Sequence, residues 1–396
     1  MPTAQHMLHF ALIASTFCVT GRSAQANNGD PLAILRHADG SASVQTLWGL
    51  EVQVWPQTIP ANLEPNSARK PLTIAADIDH VLARAVNQAD VTWQPTDGHE
   101  TDPNAIHVQS VATATDQPLG LVVRADGVSL LFLGNSPTTG AAPVKSNSLT
   151  AVDAVVWIGD SDPTLSDAMA AWIESLSPRF VLLSSKTKAA MQQTLAEQLD
   201  GTVDTSPLDH NTFAIAQSSK SPSQTTIVAT GDKPWQAPNE LQSLLNGMQA
   251  SCRRSQEVFA KLSVEQMNFK PANGTHTPRW NCEHMMGRQL LFFSQIYHAV
   301  DPTIPVMDLN PKQMPPDYRA AHADWDGQEE ARQMERVNEF TLRFAYLLDG
   351  LELDSKAPES RWTLRGLLVQ MERHYDEHTA NTVKKSELPG WPKTKP

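Results

Sequence analysis

Four long segments in the last third of the chain place apolar residues at helical spacing, and no other feature restricts the fold as much. They span 241–262, 281–300, 329–351 and 364–383. An amphipathic helix has to bury its stripe against a partner. Four such helices, joined by loops bearing Pro and Gly, are most economically satisfied as an antiparallel four-helix bundle, an all-α unit. The connection 301–326 is long and rich in proline, so it is expected to wrap the surface or cover a site.

The preceding two hundred residues have a different grammar. Short β-like runs alternate with turn signals: 44–55 broken at Gly49, then 121–124 and 128–133 joined by Ala125-Asp126-Gly127, a hairpin signature. The run 152–158 is apolar but for Asp153, as in a strand buried on both faces. A helix is expected at 165–176, a strand at 179–183 and a helix at 189–199. This alternation predicts an α/β layer fold. A stretch rich in Ser, Thr, Gln and Lys, 217–234, holds one last strand at 225–229 and then a linker. The expected organisation is an α/β domain over 27–232 followed by the helical domain over 236–396.

Residues 1–26 read as an export signal. An apolar stretch from Met7 to Val19 ends in Ser23-Ala24-Gln25-Ala26, a small-x-small cleavage pattern, although no Lys or Arg precedes it. The expected localisation is therefore exported, periplasmic or extracellular. No later segment has the roughly 20 apolar residues of a membrane span. The net charge of −12 and the absence of Lys/Arg runs longer than two argue against nucleic acid as a partner. Once such a signal is removed only Cys252 and Cys282 remain, either paired in an oxidising compartment or left as thiols.

The sharpest chemical signal lies in the last helix. Its apolar stripe, Leu364, Leu367, Leu368 and Met371, continues into His374, Tyr375 and His378. Residues four apart share a helix face, so both imidazoles should point inward. Burying two imidazoles costs free energy unless their nitrogens are satisfied. Hydrogen-bonded core histidines are one solution, and a metal ion on both is the other. A metal needs a further ligand from another helix, and His284 is available one turn into the second. His298 and His322 are expected to be ordinary core or surface residues. His374-x-x-Glu377-His378 also fits a protease motif in which the Glu is general base. That reading needs a carboxylate ligand well downstream, where only Glu387 remains.

The region 241–392 resembles the DinB-like family of four-helix bundles. The resemblance rests on Leu262-Ser-Val-Glu-Gln266, Lys270-Pro271, Pro278-Arg-Trp280-Asn-Cys-Glu-His284 and His374-x-x-x-His378. It implies a divalent metal, zinc or nickel, on His284, His374 and His378. It also implies pairing of copies through helix faces, and chemistry of the thiol-transferase or isomerase kind, although many members have no assigned reaction. Three neutral imidazoles leave a coordination position open, the arrangement of a reactive site. Cys282 is a weak candidate for a fourth ligand or for redox control.

More faintly, the α/β region resembles the metallo-β-lactamase fold, through Leu35-Arg-His37-Ala38, Leu130-Leu-Phe132-Leu-Gly134-Asn135, Val152-Asp153-Ala-Val-Val156 and Pro178-Arg-Phe-Val-Leu-Leu183. That family's metal ligands are not found: Asp77-Ile-Asp79-His80 has one His, Asn135 stands where an Asp would bridge two metals, and Ser184-Ser185 where a His would follow. His80, His99 and His107 lie in a loop-like, acidic region and could form a site of their own, but scattered surface residues are the expectation. The expectation is an exported protein with a non-catalytic α/β domain and a metal-bearing bundle. The bundle would act on a small molecule as a metal-dependent hydrolase or thiol-dependent transferase; the alternative is a metal- or ligand-binding or sensing module.

Overall fold

The computed structural model describes residues 30–47, 51–55, 72–75, 83–85, 106–112, 118–134, 151–159, 166–204, 208–218, 224–320 and 322–393. The expected export signal, His80, His99 and Asn135 lie outside them. In chain order the first half forms β1 (Leu32–Arg36), β2 (Ala42–Gln45), β3 (Glu51–Trp55), β4 (Leu72–Ala75), β5 (Ala83–Ala85), β6 (Ile106–Ala112), β7 (Pro118–Ala125), β8 (Val128–Leu133) and β9 (Ala154–Trp157). It continues as α1 (Asp167–Ser175), β10 (Phe180–Ser184), α2 (Ala189–Gln198), β11 (Gly201–Val203), β12 (Thr212–Ile215) and β13 (Thr225–Thr230).

These strands make two sheets, ordered β12-β1-β2-β3-β4 and β11-β13-β10-β9-β8-β7-β6-β5. The strands from β11 to β8 pair in parallel, and those from β8 to β5 antiparallel. The expected hairpin is β7–β8, turning on Asp126 and Gly127, both at positive φ (48° and 74°). Asp-Gly fits because a two-residue turn matching strand twist needs left-handed backbone at both positions.

Side-chain alternation along β8 and β9 explains their unbroken apolar runs. Leu130, Phe132, Ala154 and Val156 face the first sheet, whereas Leu131, Leu133, Val155 and Trp157 face α1 and α2. The first sheet is also covered on both faces. Leu32 and Ile34 pack into the layer between the sheets, and Ala33 joins the core of the helical region, with Leu35 packed against it. Arg36, next in the alternation, is buried between the sheets and donates to the Trp157 and Leu182 carbonyls and to Thr230 Oγ1.

The helical region comprises α3 (Asn239–Phe259), α4 (Val264–Met267), α5 (Pro278–Val300), α6 (Gly327–Arg343) and α7 (Leu364–Val383). Its starts are encoded locally. Thr277 accepts from Trp280 N ahead of a Pro at the first helical position, Asp326 accepts from Glu329 N, and Thr363 from Gly366 N. The Leu262-Ser-Val-Glu-Gln266 stretch proves to be a capping box: Ser263 and Gln266 each bond the other's backbone N–H to open α4.

Cross-helix pairs fix the helix directions. α3 and α7 run parallel, as shown by Arg365–Glu240, Asp376–Ser251 and Thr379–Ser255. α5 and α6 also run parallel, through Arg279–Glu330 and Gln289–Thr341. α5 lies antiparallel to α7, since Asn281 meets Thr382 and Gln289 meets Tyr375. This corrects the expectation of an antiparallel arrangement. The physical reason is the 301–326 connection, which carries the chain back to the start of α5, where Arg279 donates to the carbonyls of Ala323 and Trp325.

Candidate metal centre

The centre sits between α5 and α7, near the N-terminal end of one and the C-terminal end of the other. His284 comes from α5, and His374 and His378 from successive turns of α7. Ligand atoms of all three lie within 4.8 Å of one another, and ring centroids are separated by 4.9 Å (His284–His374), 5.1 Å (His284–His378) and 4.4 Å (His374–His378). The fold thus brings His284 to the i, i+4 pair of α7, across 94 residues at the extreme (378 − 284). Below them the stripe continues as anticipated, with Leu364, Leu367, Leu368, Met371 and Tyr375 all buried.

The hydrogen bonding around the rings is uneven. His378 Nδ1 lies 2.9 Å from Asn281 Oδ1, and the Asn281 amide is itself oriented by donating to Thr382 Oγ1 at 3.1 Å. Asn281 therefore presents an acceptor, so Nδ1 of His378 carries the proton and Nε2 keeps its lone pair. His374 Nε2 and His284 Nδ1 are buried with no hydrogen-bond partner among the described residues. Asn310, from the long connection, stands beside His284 and acts on its charge. Yet its Oδ1 is also without a partner, so the two approach without completing a hydrogen bond. Each unsatisfied buried nitrogen costs about 1–3 kcal/mol.

Burial also sets the charge state. It pulls His284 down to about 4, reinforced by His378, Arg288 and His276. His374 falls to about 3 by burial and then by the other two histidines. His378 falls to about 4 by burial, then by His276 and Lys385. All three are neutral at pH 7, with lone pairs free to ligate. Two unsatisfied nitrogens, one oriented ring and three neutral imidazoles are a donor set that fits a divalent cation.

Trp280 forms one wall. Its ring stacks on His284 (4.4 Å, 15°) and, by the opposite face, on His276 (3.6 Å, 8°), while Nε1 donates to the Gln313 carbonyl at 3.1 Å. Asn281, Trp280, Asn310 and His276 were not singled out from the sequence as site residues. Asn281 was readable: it lies three residues before His284, on the same face of a predicted helix. Asn310 and His276 come from loops, where spacing carries no such information.

Other candidates fall outside the centre. Cys282 is fully buried beside Glu330 and Glu283, and burial pushes its thiol well up; it is not among the clustered ligand atoms. Both described cysteines are free and buried, so they do not pair. Glu377 is exposed and meets Arg373 at 3.5 Å, away from the role of a general base. His298 bonds the Ile304 carbonyl at 2.7 Å and His322 stacks on Trp325, both structural roles. His107 lies on β6, and Ser184 ends β10.

Comparison with known proteins adds one decisive match. Residues 229–381 match the sequence model of the DinB superfamily. The match starts in β13 and ends in the last turn of α7, so it contains all three histidines. A DinB-type region therefore holds the centre. Among solved structures, the chain is similar to a putative Zn-dependent hydrolase of the metallo-β-lactamase superfamily from Thermotoga maritima, at 11% identity and a TM-score of 0.31, covering 50% of this chain and 98% of that one. No curated protein matches the chain.

Proposed function

We propose that the DinB-type region is a four-helix bundle holding one divalent metal, zinc or nickel, on His284, His374 and His378. We further propose that the protein uses it on a small molecule, as a metal-dependent hydrolase or thiol-dependent transferase. The reading is supported above all by the shape of the donor set: three neutral imidazoles gathered from two helices, with no fourth His, Cys, Asp or Glu among the described residues clustered with them. A structural site is normally closed by a fourth protein ligand, whereas three ligands leave a position for water or substrate.

The residues have separable tasks. Asn281 holds the tautomer and the orientation of His378. Trp280 and the chain around Asn310 wall the His284 side and limit water there. A metal held in this way would lower the pKa of a bound water or thiol, supplying a nucleophile near neutral pH. The α/β region would be a metallo-β-lactamase-like layer without catalytic duty, packed against the bundle, and the expected localisation remains exported.

The test of catalysis is turnover of ester, amide and thiol-transfer probe substrates by zinc- or nickel-reconstituted protein, with and without chelator. Turnover lost on chelation and in His374→Ala supports an enzyme. Metal bound without turnover of any class favours the binding or sensing module.

A further inference from the structure

We infer that the three-histidine centre takes an anionic small molecule bearing a carboxylate or phosphate group, with Lys385 and Arg288 supplying positive charge from opposite sides of the histidines. The inference rests on the metal reading of the centre and names the substrate class it implies.

The two cations flank the histidines along the helix pair. Arg288 is one turn beyond His284 on the same face of α5, about 6 Å along the axis. Lys385 lies in the 3-10 turn that directly continues α7 past His378 and Thr382. Lys385 is 5% exposed, and its one described hydrogen bond is to the Asn381 carbonyl at 3.0 Å. The ammonium thereby caps a carbonyl in the last turn of α7, using one of its three donors. Arg288 is half-buried, its guanidinium 5.8 Å from the Phe292 ring centroid. Neither forms an ion pair with any described carboxylate.

This is not for want of carboxylates, since the chain has 43 acidic residues against 31 basic ones. Among the described residues, the charged side chains that act most on the three imidazoles are Arg288, Arg373 and Lys385, with His276 beside them. Arg373 is turned outward onto Glu377. An ammonium taken from water without a counter-charge loses several kcal/mol. Neutral imidazoles bring no negative charge to offset a dication either. A centre built this way accumulates positive charge, and an incoming carboxylate or phosphoryl oxygen is the missing complement.

The experiment is calorimetric titration of zinc-loaded and metal-free protein with succinate, with inorganic phosphate, and with succinamide as the neutral shape control. Zinc content is measured in every sample. The expected result is binding of succinate or phosphate but not succinamide. Lys385→Gln and Arg288→Gln should each weaken it about tenfold or more at unchanged zinc content, and Lys385→Arg should retain it. Arg288→Gln, at a half-buried position, carries the test should Lys385→Gln fail to fold. Equal binding of succinamide, unchanged affinity in both Gln variants, or no anion bound at millimolar concentration overturns the inference while leaving a zinc-loaded centre standing. Lys385-dependent binding in a protein that takes up no zinc keeps the anion site and overturns the metal reading.

Discussion

At the residue scale the centre depends on a few side chains that never touch the ion's place directly. Asn281 is the clearest. Removing a group that orients a ligating imidazole usually costs 10–100-fold in metal affinity. Asn281→Ala should therefore weaken zinc binding by about that factor in chelator competition, with far-UV circular dichroism unchanged; unaltered affinity would show that Asn281 orients nothing. A second buried constellation lies at the start of α5. Arg279 and Glu330 are both fully buried and ion-paired at 2.5 Å, Asn268 takes another guanidinium donor at 2.8 Å, and burial followed by Glu283 pushes Glu330 up to about 8. Arg279 stays charged whatever its partner does, so Glu330→Met strands a buried guanidinium and should destabilise by about 3–5 kcal/mol in denaturant unfolding. Proton linkage at the histidines has a definite sign. Their native values of about 3 to 4 lie below the usual 6.5, so between these limits the unfolded chain binds more protons. Metal-free protein should keep this contribution above pH 6.5 and lose it progressively down to about pH 3. Melting temperatures across that range check this, and a curve flat from pH 7 to 4 would contradict the burial of the rings.

At the element scale, the sequence foretold most of what local physics decides. The stripe on α7, the Asp-Gly hairpin, the two-faced strand β9 and the helices α1 and α2 fall within a few residues of their expected places, because periodicity and turn chemistry are local signals. The parallel course of α5 and α6 was not legible, because it depends on where a loop of some two dozen residues returns the chain. Strands β11 and β12 are three and four residues long and carry little pattern, so their places were set by pairing with β13 and β1. The packing of the long connection on α5 is itself testable. A Cβ at Gly287 would meet the Asn310 backbone at 2.5 and 2.8 Å. Gly287→Ala must push that segment away, and a loss of about 1–3 kcal/mol is expected, along with weaker zinc binding because Asn310 neighbours His284. Unchanged stability would mean the segment yields freely.

At the scale of the whole molecule, the two regions are less independent than their sequence grammars suggest. Ala33 of the first sheet and Leu47, just past β2, belong to the same buried core as α3, α5 and α7. Arg343 at the end of α6 donates to Gln45 Oε1 and to the Leu47 carbonyl, both at 2.8 Å, and His210 packs on Tyr346 with ring centroids 4.4 Å apart. The first sheet is thus a shared wall, one face on the second sheet and one on the helices. Alternation along β1 could have revealed a strand buried on both sides, but not what covered it. Leu47→Ala should cost about 2–5 kcal/mol and lower the melting of the helical signal although the residue lies in the α/β region. Helices melting at an unchanged temperature would separate the two regions. The central claim, a metal on the three histidines, is tested most directly by elemental analysis of purified protein beside the double variant His374→Ala/His378→Ala. The account predicts about one zinc or nickel ion per chain in the wild type and none in the double variant. A wild type that holds no metal even after reconstitution would contradict it and leave the histidines as core residues of a binding module.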